Sequence, residues 1–201
     1  MKTTRRGWLC MAILVAALGG IAPGAAFADD WDWNYNLVFG HRSVDKSDWA
    51  PFKGYDELGV EASWGKADEP LLFATDLYVS RDRERVFGFE IENRTWELNP
   101  GLRKMWTFNK RWHPYGGAGP TYVQTKSQRA TRRREISDQD RAYGFWLGGG
   151  LFFRIGAHLD LGMAVRFSAL RDFKIFDGPR RGNATHIALT VGWGAQSAPE
   201  K

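Results

Sequence analysis

Along most of the chain, apolar and polar residues alternate with a period of two. The stretch "LDLGMAVRF" (159–167) places Leu159, Leu161, Met163, Val165 and Phe167 on one side and Asp160, Gly162, Ala164 and Arg166 on the other. Successive side chains of a strand point to opposite faces, so this pattern predicts a strand with one apolar and one polar face. Four segments in the first half read the same way. Trp33, Tyr35, Leu37 and Phe39 share a face of 33–41, and Leu58, Val60, Ala62 and Trp64 share one of 57–64. Leu71, Phe73, Thr75, Leu77 and Val79 align in 71–80, and Trp96, Leu98, Pro100 and Leu102 align in 95–104. Segment 114–123 has small residues on both faces, whereas 143–153 aligns Phe145, Leu147, Leu151 and Phe153, and 185–193 aligns Ile187, Leu189, Val191 and Trp193. Eight strands are predicted.

The connections alternate as well. Those after the second, fourth and sixth strands are short ("GKADEP", "MWTFNKRWH", "IGA"), and the others are longer and heavily charged. Short turns at one end and long polar loops at the other are the pattern of outer-membrane barrels. An eight-stranded soluble barrel is the competing architecture, with its apolar face turned inward. Side-chain size decides between them, because such a barrel has an interior just wide enough to be filled by side chains. The apolar faces here carry bulky Trp, Phe, Leu, Ile, Met and Val, while the opposite faces are rich in Gly, Ala, Ser and Asn. Only the second set fits inside. Trp33, Tyr35, Trp64, Trp106, Phe108, Trp112 and Trp193 cluster at strand ends, where a membrane barrel has its aromatic girdles.

The start of the chain agrees with export. "MKTTRRG" is basic, "WLCMAILVAALGGIA" is apolar, and Ala26-Phe27-Ala28 is a small-x-small cleavage site, so residues 1–28 are expected to be a cleaved signal peptide. Residues 29–194 are then the barrel and 195–201 a short polar tail. Cys10, the only cysteine, leaves with the signal, so disulfides cannot stabilise the product. The formal charge of +5 includes Lys2, Arg5 and Arg6, and losing these three cations lowers it to +2. That balance gives no reason to expect nucleic acid as a partner.

"TWELNPGLRKMW" (95–106), "HPYGGAGPTYV" (113–123), "YGFWLGGGLFFRIGAHLDLGMAVRFS" (143–168) and "NATHIALTVGWG" (183–194) resemble small proteobacterial outer-membrane β-barrel proteins of the OmpX/OmpW size class. The resemblance implies a monomeric all-β barrel in the bacterial outer membrane. It implies fold and location much more than activity. Pro100 departs from the pattern, since a closed barrel offers no edge to excuse its missing N–H, and a bulge or local break is expected there.

Three groups of residues could carry chemistry. Glu57, Glu61, Asp76, Glu97, Arg103, Arg154, Asp160 and Arg166 fall on the polar faces and would point into a narrow lumen, where charges must be paired. Arg154 and Asp160 flank the shortest turn and are expected to pair with each other. Lys126, Arg129, Arg132, Arg133 and Arg134 lie in "KSQRATRRREISDQDR" (126–141), read as a basic extracellular loop. Lys174, Arg180 and Arg181 could extend that patch. Guanidinium forks match phosphate geometry, which makes phosphorylated lipopolysaccharide a candidate partner. Finally, "HRS" (41–43) gives His41 and Ser43 the spacing of neighbours on one strand face, the germ of an acyl hydrolase. The pair falls where the first strand ends and a loop begins, and no acid is evident beside it. His186 faces inward, and His113 and His158 lie at the periplasmic end, so no three-histidine metal site forms and no cofactor is expected. The expected role is therefore structural or surface-interaction rather than enzymatic, with a lipid A acyl hydrolase or a narrow small-solute channel as the alternatives.

Overall fold

A computed structural model describes residues 31–44, 49, 54–66, 69–86, 89–109, 111–130, 135–176 and 178–195. The expected signal peptide (1–28), the end of the tail (196–201) and Arg132, Arg133 and Arg134 lie outside the described residues. The strands are β1 (Trp31–Val44), β2 (Gly54–Lys66), β3 (Leu72–Val86), β4 (Phe89–Met105) and β5 (Trp112–Ala130). They continue with β6 (Glu135–Ile155), β7 (Leu159–Leu170), β8 (Phe173–Ile175), β9 (Gly178–Arg180) and β10 (Ala184–Ala195). All but β8 and β9 form one closed antiparallel barrel in the order β1-β10-β7-β6-β5-β4-β3-β2. Closure gives every strand two neighbours, as a structure without water around its middle requires.

The faces fall as the alternation predicts. Phe145, Met163 and Leu189 on the outside are 70%, 61% and 62% exposed, whereas Asp76, Glu97 and Asp160 on the inside are almost completely buried. A soluble barrel would reverse these positions. An apolar belt of this extent is the outward face of a barrel set in lipid. Trp64, Trp106, Trp112 and Trp193 ring the end with the short turns, and Trp96, Tyr122 and Tyr143 lie near the other.

Two of the expected long loops are mostly strand. β3 and β4 pair as far as Val86↔Phe89, and β5 and β6 as far as Ala130↔Glu135, so β3–β6 rise as one sheet beyond the rest of the barrel. Lys126 and Arg129 are therefore strand residues, and residues 131–134 alone connect β5 to β6. The charged stretches resemble loops in sequence because nothing outside the bilayer requires an apolar face. Between β7 and β10 the connection folds into the β8–β9 hairpin.

The break expected at Pro100 is present. Pairing of β4 with β5 runs through Leu98↔Tyr122 and resumes at Leu102↔Ala118. The Pro100 carbonyl freed by the gap accepts a hydrogen bond from Trp146 Nε1 (2.9 Å), donated by an indole lying inside the barrel. That indole explains the small residues of the ambiguous fifth segment. A Cβ on Gly117 would lie 2.9 Å from Trp146, and one on Gly101 2.7 Å from it.

Candidate functional site

The lumen is built from the inward-facing residues of all eight barrel strands. At its periplasmic end, Arg154 Nε and Nη2 donate to the two Asp160 oxygens at 2.8 Å each, which is the pairing expected from the sequence. Asn34 also donates to Asp160 (3.0 Å) and accepts from Asn36. Above them, Arg103 Nη2 donates to both Asp76 oxygens (3.0 and 2.9 Å), and its Nη1 lies 3.7 Å from Glu61. The Arg103 guanidinium sits over the ring of Tyr115, which stacks on Phe152 with centroids 4.4 Å apart.

A second cluster surrounds Arg166. Its guanidinium lies 3.5 Å above the Tyr78 ring, and the Tyr78 hydroxyl donates to Glu61 (2.5 Å), joining the two clusters. Arg166 Nη2 is 2.9 Å from His186 Nδ1, and Glu57 Oε2 is 2.7 Å from the same nitrogen. One ring nitrogen can serve only one of them at a time. Unprotonated, it accepts from Arg166; protonated, it donates to Glu57. Glu97 accepts from Ser168 (2.7 Å) and Asn99 (3.2 Å) and lies 3.5 Å from Arg166. Arg166 thus meets Glu57 and Glu97 across the lumen, on β2 and β4, and not only on a neighbouring strand.

Six of the eight predicted lumen residues belong to the linked Arg103 and Arg166 clusters, and Arg154 and Asp160 form the separate periplasmic pair. Arg42, His186 and Tyr78 complete the linked clusters, with Arg42 Nε 3.9 Å from Glu97. Arg42 shares its parity with Asn34 and Asn36 and could have been found by continuing the first strand past His41.

Apolar groups close the extracellular end. Val44, Trp49, Tyr55, Val123, Leu170, Phe173 and Ile175 form a buried cluster beneath the β8–β9 hairpin. The hairpin is fastened to β6, where Asp140 and Asp138 accept from the backbone N–H groups of Lys174 and Phe176 at 2.6 Å each. Trp49 Nε1 donates to the Arg181 carbonyl (2.7 Å). Arg129 turns onto the same hairpin, with its guanidinium 4.9 Å from the Phe176 ring. The expected patch is therefore divided, because Lys126 faces outward on the barrel wall and Arg129 does not.

On the outer wall, β1 continues through His41 and Ser43 to Val44, so neither is a loop residue. The register also supplies the acid that the sequence hid, since His41 lies opposite Asp56 on β2. The separation of Nδ1 from Oδ1 is 4.0 Å, beyond hydrogen-bond range, and both side chains are exposed. Among the described residues no hydrogen bond joins Ser43 to His41, so the three groups do not form a relay. No group of three or more His, Cys, Asp or Glu residues suited to a metal ion occurs among the described residues.

The outward faces of β3 and β4 beyond the belt carry a second ion-pair network. Glu92 accepts from Arg81 (2.7 Å) and Arg83 (2.8 Å), Arg94 reaches its other oxygen (3.3 Å), and Arg83 also meets Glu90 (3.0 Å). Partial burial pushes the Glu92 carboxyl up, but the bonds from Arg81 and Arg83 outweigh it and hold the carboxyl below its usual range.

No protein-family model matches this chain, and no curated protein matches it in sequence. Solved structures do. Ail, the attachment invasion locus protein of Yersinia pestis, solved in complex with the heparin analogue sucrose octasulfate, is similar over 82% of this chain and 97% of its own. The TM-score is 0.56 at 11% identity. Neisserial surface protein A covers 83% of this chain and 96% of its own, with a TM-score of 0.51 at 11% identity. A major outer membrane protein from Thermus thermophilus covers 82% and 98%, with a TM-score of 0.54 at 9% identity. The fold is that of a small outer-membrane β-barrel. At these identities the likeness is one of architecture.

Proposed function

We propose that this protein is a closed, non-catalytic barrel of the bacterial outer membrane whose role is structural and surface-interacting. Its partners are the surrounding lipid and the phosphates of lipopolysaccharide. The observation that carries this reading is the filled lumen. Two guanidinium-centred clusters, the Tyr115–Phe152 stack and the apolar cap under β8–β9 occupy the interior in succession. A barrel of this strand number leaves little bore even before it is filled. A narrow channel would need these layers removed, so recognition falls to the exterior and to the sheet raised by β3–β6. Ail, a barrel of the same fold, was solved with a polysulfated sugar. A preference for clustered anions is consistent with the cations on the raised sheet.

The test is conductance. Barrel whose folding is verified by a heat-dependent gel shift should give no discrete current steps in planar bilayers. Reproducible steps would refute the closed lumen and restore the channel reading.

A further inference from the structure

We propose that the outer wall of β4–β6 carries a binding site for a phosphorylated lipid headgroup, with Arg94, Lys126 and Arg141 as its cations. This rests on the surface-interaction reading above and gives that contact a place distinct from the connecting segment.

Strand register is the first support. Asp56, Arg81, Arg94 and Lys126 follow one another across β2, β3, β4 and β5, each opposite the next. Lys126 in turn lies opposite Gln139 on β6, and Arg141 lies opposite Gln124, one outward position away on each strand. Like charges directly opposite in an antiparallel pair destabilise it. Arg81 opposite Arg94, and Arg94 opposite Lys126, are two such pairs in a row. Glu92 relieves the first, because it accepts from both Arg81 and Arg94. Glu92 reaches Arg94 but not Lys126, so the second pair keeps a cation that no acid among the described residues offsets. Lys126 and Arg141 are exposed on the wall with no ion pair among the described residues. A bound anion would remove the repulsion and take charge-assisted bonds from the Arg94 and Arg141 forks.

Position supplies the second support and selects the anion. Directly below the cations on the same strands lie Trp96, Tyr122 and Tyr143, with the two tyrosine rings 5.2 Å apart. Aromatic side chains of this kind mark the headgroup level of a membrane. The cations therefore stand where the phosphates of the outer leaflet lie. The opposite wall is different. There, on β1 and β2, the outward positions above the belt are His41, Ser43 and Asp56, with no lysine or arginine among the described residues, whereas Arg171, exposed just past β7 and donating its N–H to the Tyr143 carbonyl, adjoins the cationic wall. A general attraction to membrane charge would not need this one-sidedness, whereas a bound lipid would.

The experiment titrates barrel in maltoside micelles with diphosphorylated lipid A, with dephosphorylated lipid A and with inorganic phosphate. Wild-type protein should prefer the phosphorylated lipid by about tenfold or more, the worth of one or two charge-assisted bonds. R94Q/K126Q/R141Q should lose most of that preference, and R132Q/R133Q/R134Q should keep it. If the wall variant binds like wild type while the connecting-segment variant does not, the site is overturned and the lipopolysaccharide reading survives. If wild type shows no preference, both fall. Competition by inorganic phosphate at equal concentration would overturn the commitment to a lipid. Heat unfolding in micelles without anion gives an independent measure, since K126Q removes a like-charge pair without breaking an ion pair and should raise the midpoint. A lowered midpoint would mean that the wall is not strained and would overturn the argument from register.

Discussion

Charged side chains occur in two settings in this barrel, and the same residue types do different work in each. Inside, Arg103 and Arg166 are almost inaccessible and are held by carboxylates, the His186 imidazole and aromatic faces on several strands. Outside, Arg81, Arg83 and Arg94 share Glu92 at the surface of an extended hairpin. Buried ions have lost their water and depend on their partners, so removing one partner strands the other. Exposed ions keep much of their hydration, and their pairing contributes little. The difference separates architecture from recognition. Interior charges are committed to one another, and exterior ones remain available to a ligand.

The sharpest way to break this contrast is Arg103→Ala, which leaves Asp76 and Glu61 buried without their cation. It should cost about 3–5 kcal/mol, read as a lowered midpoint in urea unfolding monitored by the heat-dependent gel shift. A loss below about 1 kcal/mol would place the interior charges in the same class as surface pairs. Gly119→Ala should come next. Its Cβ would sit 2.1 Å from the Pro100 carbonyl oxygen and 2.6 Å from Gly101 Cα, both backbone atoms. A cost of about 1–3 kcal/mol is expected from such overpacking. Gly116→Ala is the control, since its nearest neighbour would be 3.5 Å away, and it should unfold like wild type.

The smallest effect belongs to the outer network and appears as a pH dependence. Glu92 has a folded pKa below its ordinary value of 4.5, so its contribution is fully present above that pH. It is lost as pH falls through the lower folded value. Amide exchange over residues 81–94, corrected for intrinsic rate, should therefore accelerate selectively below about pH 4.5, while overall stability changes by less than about 1 kcal/mol from this pair. Uniform acceleration across the barrel would show that the interior carboxylates respond first.

The lumen roster was largely legible because parity needs only local information. Once Leu159 and Phe167 are placed against lipid, Asp160 and Arg166 must point inward. The break at Pro100 was legible for a similar reason, since a missing N–H is a property of one residue. Strand ends were harder to read. Residues 81–94 and 126–141 continue the barrel sheet without an apolar face, because outside the bilayer backbone pairing and polar side-chain contacts hold them. Arg42 was lost by ending the first strand too soon, and Asp56 by not knowing which residue lies across from His41.

By itself, the sequence determined the number of barrel strands, an inside and an outside for each of them, and a membrane as the medium the outside requires. These follow from a period of two and from the size of the side chains at alternate positions. Only the tertiary structure decided who pairs with whom: Arg166 with Glu57 and Glu97 across the lumen, the β8–β9 hairpin with Asp138 and Asp140, Arg94 beside Lys126 on the wall. Such partners are far apart in the chain. They are brought together by register and closure, which belong to the sheet as a whole and to no single segment of it.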